Sequence, residues 1–410
     1  MRVARFLLLL CVGGASLEAQ FHAYVGRLSS SGVLLAWGTT RGGGNTIGRS
    51  SRALGPVTVT IDDRPVTVPP GQNWVETPLP PDTEHRYKVV LDAGRRLIGE
   101  GVVRTWPDGD PDRLCFFVIG DYGDGGPGQA AVAKVMATVV REQEKANNPV
   151  RFVLTTGDNI YGKERLFFPR QDTGDQDAHW ESRFFAPYAE IVRSVPFYPS
   201  LGNHDGDESE RAGDLDVYLD NFFLPGEIQA GGRYYRFSYG KLAEFFCLDS
   251  TTNRHARFPA PGVGSGSEQL RWVDEALRTS PARWKIPYYH HPRYCGGPGH
   301  TSEPALLDLV GVLERRQVGV VFNGHEHNWQ PIEQTTAAGR RLYHVITGAG
   351  GELRSDRPSA ISLDGGKARL VDWAPRHHFL LVAIEGDRMT MTPIGTDARP
   401  IAKPLEVRLR

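Results

Sequence analysis

Val150-Arg151-Phe152-Val153-Leu154, followed by Gly157-Asp158-Asn159-Ile160-Tyr161, is the stretch on which the fold turns. The apolar run reads as a short buried strand. Gly157 permits a sharp turn where the strand ends. Asp158 is then offered at the carboxyl end of the sheet, where open α/β sheets place their ligands. Alone, this is ordinary turn chemistry, because Asp and Gly make turns. The pattern recurs, however. Arg113 to Ile119 leads into Gly120-Asp121-Tyr122-Gly123-Asp124, and Val195 to Leu201 into Gly202-Asn203-His204-Asp205. Trp284 to Tyr289 leads into His290-His291-Pro292, and Val318 to Phe322 into Asn323-Gly324-His325-Glu326-His327. Together they supply a mixed oxygen and nitrogen donor set without cysteine, which suits Fe, Zn or Mn better than a thiolate-rich structural site.

Gly120-Asp121, Gly157-Asp158-Asn159, Gly202-Asn203-His204-Asp205, His290 and Gly324-His325-Glu326-His327 resemble the five motif blocks of the calcineurin-like metallophosphoesterases. Tyr161, three residues after Asp158, resembles the tyrosine with which purple acid phosphatases bind ferric iron. The resemblance spans residues 120 to 327. It implies a binuclear metal centre of Fe(3+) plus a divalent Fe, Zn or Mn ion. Asp158 is implied as the bridging carboxylate. Asp121, Tyr161 and His327 complete the iron site, and Asn203, His290 and His325 the second. The His-x-Pro pattern favours His290, with His291 as the alternative. In extended backbone, residues i and i+2 point the same way, so His325 and His327 can face one cluster. By the same resemblance His204 binds the substrate phosphate or protonates the leaving group, Asp205 orients it, and His300 contacts phosphate.

The implied reaction is hydrolysis of a small-molecule phosphate monoester by a metal-bound hydroxide, without a covalent phosphoenzyme. A phosphodiesterase or nucleotide-hydrolysing enzyme is the alternative in the same chemistry. A non-catalytic extracellular binding protein is the alternative from another class, and the intact donor set argues against it.

A chain of 410 residues exceeds the size at which one core keeps growing, so two domains are expected. The apolar content of 40% is that of a globular protein, and the net charge of -1 offers no bulk electrostatic case for nucleic acid or an anionic membrane. Arg2 and Arg5 precede the apolar run from Phe6 to Val12, with small residues after it. This reads as a secretory signal peptide over 1–19, which implies a secreted protein, periplasmic or extracellular, with no membrane attachment after cleavage. Its removal leaves Cys115, Cys247 and Cys295, too few for a disulfide framework. Cys115 and Cys247 lie in apolar runs and are expected in the core, whereas Cys295, in a Gly/Pro loop, is expected to be exposed.

Residues 20–106 carry regular short β-branched runs without helical periodicity, which indicates a small β-sandwich. Leu79 to Tyr87 and Arg104 to Pro107 resemble a fibronectin type III module. Residues 107–112 are Pro/Gly/Asp-rich and read as a linker. From 113 to 410, strands alternate with amphipathic helices predicted over 129–146 and 265–277, which indicates an α/β layered core. The resemblance makes that core a layered β-sandwich with helices on its outer faces. The polar stretch Gly162 to Ala178 is expected to form a loop over the site.

Overall fold

The computed structural model describes residues 20–41, 44–45, 55–162, 177–207, 215–251 and 260–409. The expected signal peptide and most of the Gly162 to Ala178 loop lie outside the described residues.

The N-terminal region is all-β, consistent with the fibronectin type III-like expectation. One four-stranded sheet holds Gln20–Leu28, Gly32–Arg41, Gly44–Asn45 and Trp74–Pro78, and a second holds Arg64–Val66, Val57–Ile61, Glu84–Leu91 and Arg96–Arg104. Every pairing in them is antiparallel. In Glu84–Leu91, His85, Tyr87 and Val89 are buried and the residues between them are exposed. That period-2 pattern is what a sheet with one face on a core requires.

The remainder is a sandwich of a six-stranded and a nine-stranded sheet. Phe116 and Phe152 of the first meet Phe245 of the second edge-on, at centroid distances of 5.3 and 5.1 Å. Such edge-to-face contacts fill the interior densely. The Pro127–Lys145 helix covers the outer face of the six-stranded sheet with Val132, Val135, Met136 and Val139. The Glu268–Thr279 and Leu307–Arg315 helices cover the nine-stranded sheet through Val273, Leu277, Leu309 and Leu313. Ser267 starts the first of these two, its hydroxyl accepting from Leu270 N at 3.2 Å, the usual task of a serine N-cap.

Parallel strands carry the functional loops. Phe197–Pro199, Val150–Thr155 and Arg113–Ile119 run parallel in the six-stranded sheet. Trp284–Tyr288, Val320–Asn323 and Arg341–Thr347 run parallel in the nine-stranded sheet. Each motif loop follows the carboxyl end of one of these strands, so the five loops gather at one end of the sandwich. In an open parallel arrangement that end collects the chain reversals and hence the ligand groups.

The N-terminal region packs directly on this sandwich. Tyr198 donates its hydroxyl to Leu28 O at 3.2 Å, Tyr24 to Asn221 O at 2.9 Å and Tyr87 to Arg193 O at 2.9 Å. Trp106, where the linker was expected to begin, lies 5.3 Å from Tyr239 and 5.7 Å from Phe152, ring to ring. One apolar core therefore runs through both regions.

Cys295 departs from its sequence expectation and is 4% exposed. Its sulfur receives Gly297 N at 3.4 Å and faces His300 O at 3.5 Å, and burial pushes the thiol up to about 12. The Gly/Pro loop is covered from above, because Ser359 N and Ala360 N both donate to Gly296 O. Local composition carried no sign of that cover.

His344 is fully buried in the nine-stranded sheet, with Nε2 2.8 Å from Gln334 Oε1. Burial, aided by the charge of Arg293, pushes its pKa down to about 3 from 6.5. Between those values the unfolded chain binds the extra proton, so stability rises with pH there and is lost as pH falls from about 6.5 toward 3. We expect His344→Gln to lose less melting temperature than the parent between about pH 7 and 4. Superimposable pH profiles would refute the assignment.

Candidate metal centre

Two groups of donor atoms meet where the parallel strands end. In the first, Tyr161 Oη is 3.3 Å from Asp121 Oδ1 and 3.4 Å from His327 Nε2, and His327 Nε2 is 3.4 Å from Asp121 Oδ1. In the second, His290 Nε2 is 2.9 Å from Asn203 Oδ1, 3.1 Å from His325 Nδ1 and 3.3 Å from Asp158 Oδ2. Asp121, Asp158 and His290 also lie within reach of one common ion. Asp158 thus stands between the two groups.

These separations fit metal ions. Donor atoms about 2.1 Å from one ion, at tetrahedral or right angles, lie about 3.0–3.4 Å apart. The donor set, two carboxylates, a phenol, an amide oxygen and three imidazoles, is hard to borderline and suits iron, zinc or manganese. Among the described residues neither Asp121 nor Asp158 has a Lys or Arg ion-pair partner, although both are buried. Among the described residues their ion-pair partners are the imidazoles of His290 and His327, and burying such charge is costly unless it is paired.

Within the cluster the carboxylates, imidazoles and phenol act strongly on one another's charge. Burial would raise the Asp158 carboxyl, but the charges of His290 and His204 beside it hold it far below the usual range. Burial alone would also discharge His290, yet Asp158 and Asp121 hold its ring at about 10. Burial, with Asp158 and Asp121 adding to it, pushes the Tyr161 phenol well above its ordinary value. Burial and the neighbouring His290, His291 and His300 keep His325 neutral.

Three of the donor residues also have unusual backbone conformations. Asp121, Asp158 and His325 have φ of 53°, 51° and 71°, the left-handed region. Such residues cost about 1–3 kcal/mol each and persist where the surroundings over-determine them. Here Asp121 N donates to Gly157 O at 3.0 Å, His325 N to Asp121 Oδ2 at 2.9 Å, and His204 N to Asp158 Oδ1 at 2.9 Å. These bonds tie the Asp121, Asp158, Asn203 and His325 loops to one another.

The sequence-derived residues fall in three positions. Asp121, Asp158, Tyr161, Asn203, His290, His325 and His327 lie in the cluster. His204 and His300 flank it, the His204 ring 4.5 Å from Tyr161 and the His300 ring stacked 3.6 Å from His325. Asp205 lies beneath, fully buried, accepting from Gly202 N at 3.0 Å, Asn159 N at 3.1 Å and Asn159 Nδ2 at 2.8 Å. Burial and Asp158 raise its pKa to about 7. His291 turns Nδ1 to Ser250 Oγ at 3.0 Å, while His290 presents Nε2 to the other donors.

Two further contributors were not read from the sequence. Asn159 links Ser200 O, Asp205, Thr155 and Tyr122 in one buried knot. Glu326 accepts from His300 N at 2.7 Å and from Asn328 Nδ2 at 3.1 Å, so it fixes the loop that carries His300. Both lie inside motif blocks, but their partners are distant in the chain, and only the motif itself could have marked them.

The fold and this cluster define a metallophosphoesterase. The family model for calcineurin-like phosphoesterase matches residues 116–329, more than half of the sequence, and the chain belongs to that family. Among curated proteins it is similar to purple acid phosphatase 4 of Arabidopsis thaliana, 30% identical over 243 residues, covering 55% of this chain and 65% of the relative. Purple acid phosphatase 17 of the same plant is 29% identical over 254 residues, covering 58% of this chain and 68% of the relative. The matched stretch thus spans a little under two thirds of the first of these relatives. Among solved structures the chain shares its fold with purple acid phosphatase PPD1 from yellow lupin (Lupinus luteus) seeds, at a TM-score of 0.66 and 15% identity, covering 95% of this chain and 74% of that one. PhoD gives a TM-score of 0.64 at 14% identity, covering 94% and 88%.

Gly202 is where the third motif loop touches the second most closely, and a Cβ there would collide with the Asp158 carboxylate and backbone. Gly202→Ala is expected to cut bound metal by more than about half by displacing Asp158, while the far-ultraviolet circular dichroism stays that of the parent. Full metal content in this variant would refute the tight packing of the two loops.

Proposed function

We propose that this chain hydrolyses phosphate monoesters in the manner of the purple acid phosphatases, at a binuclear centre of Fe(3+) and a divalent ion. The observation that carries the reading is the convergence of seven donor residues at about 3 Å separations, the spacing that shared metal ions require. The names of the curated relatives support it. Asp121, Tyr161 and His327 would hold one ion, Asn203, His290 and His325 the other, with Asp158 between them. When bound, such a pair acidifies a water molecule and clamps the attacking and leaving oxygens of a phosphoryl group.

The chain's own residues supply the rest. His204 lies against Tyr161 and His300 against His325, where each could grip a phosphoryl oxygen. His204, whose backbone is tied to Asp158, is assigned the proton for the leaving oxygen. Asp205 and Asn159 hold the His204 loop against the Asp158 loop, which fixes the distance between the flanking imidazole and the bridging carboxylate. The substrate is a small phosphate ester, and the net charge of -1 supports no bulk attraction to nucleic acid. Residues 20–106 are proposed as a packed structural unit, residues 107–112 as its connection to the catalytic unit over 113–410, and residues 1–19 as a signal for export.

A paired assay of an aryl phosphomonoester and the matching diester across about pH 4 to 9 tests the reaction class. Monoester turnover is expected to dominate, with its optimum on the acid side. Preference for the diester would move the reading to a phosphodiesterase. Asp158→Asn should lower turnover by at least about 100-fold without unfolding the chain. Separately, iron-loaded protein should show a visible tyrosinate-to-iron band that Tyr161→Phe abolishes; a band that survives the substitution would remove Tyr161 from the donor set.

A further inference from the structure

Arg354 takes no part in the donor set, yet one imidazole separates it from the cluster. His327 turns Nε2 toward Asp121 and Tyr161, and its Nδ1 lies 3.5 Å from Arg354 Nε. A ring nitrogen engaged on the cluster side leaves its hydrogen on the other nitrogen. Nδ1 would then be a donor and could accept nothing from Arg354. Among the described residues Arg354 has no carboxylate in an ion pair, unlike Arg233, which holds Asp249 at 2.6 Å, or Arg316, which holds Asp274 at 2.7 Å. The nearby Glu326 is fully buried, accepts from His300 N and Asn328 and pairs with His300 Nδ1 at 3.4 Å, and the charge of Arg354 reaches it without an ion pair. Arg354 as a whole is half-buried.

The chain holds this side chain in place from both ends. Gly351 N and Glu352 N donate to Asp121 O, each at 3.0 Å, and Arg354 N donates to His327 O at 2.9 Å. Further on, Ser359 N donates to Gly296 O at 2.8 Å. The segment therefore bridges from the Asp121 and His327 side of the cluster to the loop that carries His300. Between these anchors the guanidinium lies on Gly299, where any Cβ would collide with it. Glycine at that position leaves floor space for the arginine beside His300. Two cation-capable groups, Arg354 and His300, thus line one side of the mouth.

We propose that Arg354 binds a second phosphoryl group of the substrate, so that the site prefers compounds with two linked phosphoryl groups, such as phosphoanhydrides, to simple monoesters. The proposal rests on the phosphatase reading above and changes the preferred leaving group at the same site from an alcohol to a phosphate. The planar guanidinium fork matches two phosphate oxygens at once, which a lysine cannot reproduce. In the reaction, the oxygen of water bonds to the terminal phosphorus. The bridging P–O bond breaks with its electron pair on the departing phosphate, and that oxygen takes up a proton supplied through His204. The proton lost by water restores the balance.

The test uses the metal-loaded full chain, its Arg354→Gln and Arg354→Lys variants, and calorimetric titration with orthophosphate and inorganic pyrophosphate. The parent should bind pyrophosphate more tightly than orthophosphate. Arg354→Gln should reduce that ratio by about tenfold, with Arg354→Lys recovering part of it. The ratio of kcat/KM for pyrophosphate over an aryl phosphate should fall in parallel. An unchanged ratio would overturn the proposal. Equal loss for both anions would also overturn it, and would make Arg354 a support for His327. A parent that binds pyrophosphate through Arg354 but hydrolyses neither compound would sink the phosphatase reading and leave the anion site standing.

Discussion

Asp158 and His290 meet at 3.3 Å with neither side chain open to water. One comes from the six-stranded sheet and the other from the nine-stranded sheet, so this contact closes the functional end of the sandwich. A buried pair of this kind is expensive to desolvate, and it persists only where geometry and additional hydrogen bonds offset the cost. The bonds are present. His290 Nδ1 is held by Thr156 O at 2.8 Å, and Asp158 accepts from His204 N at 2.9 Å. The polar groups of the site are therefore organised as a network in which each loop satisfies its neighbour.

That network cross-links loops that their strands alone would not hold together. Parallel strands set where each loop begins, and the Asn159 and Asp205 knot sets how the second and third loops lie against each other. Left-handed backbone at Asp121, Asp158 and His325 turns the side chains inward at positions where an ordinary β-to-turn path would point them elsewhere. Strain of this kind has a functional counterpart, because it holds donors at fixed separations before any ligand arrives. The N-terminal sheets are packed by Tyr24, Tyr87 and Trp106 onto the sandwich that carries the site, and do not hang from it as a separate body.

Much of this was legible from residue order alone. Each motif block follows an apolar run, and an apolar run that ends in Gly-Asp or Gly-Asn announces a strand end with a polar tip. The helices read over 129–146 and 265–277 lie within a few residues of Pro127–Lys145 and Glu268–Thr279, whereas Leu307–Arg315 went unread. Cys295 was misread because its environment is set by residues 358–360, some sixty positions later. Asn159 and Glu326 went unread for the same reason. An amide or a carboxylate in a loop looks alike in sequence whether it faces solvent or ties two loops together.

What the sequence by itself determined is the inventory and the order: strands that end in donor residues, an all-β stretch before them, and the chemical character of the donor set. These are local properties, written in periodicity and turn chemistry. The tertiary structure alone decided how closely the donor atoms of the five loops approach one another, that Cys295 is sealed, and that Arg354 lies over Gly299. Those facts depend on how two sheets pack face to face. Contacts between residues far apart in the chain are fixed by the joint packing of many side chains, and no short window of sequence contains that information.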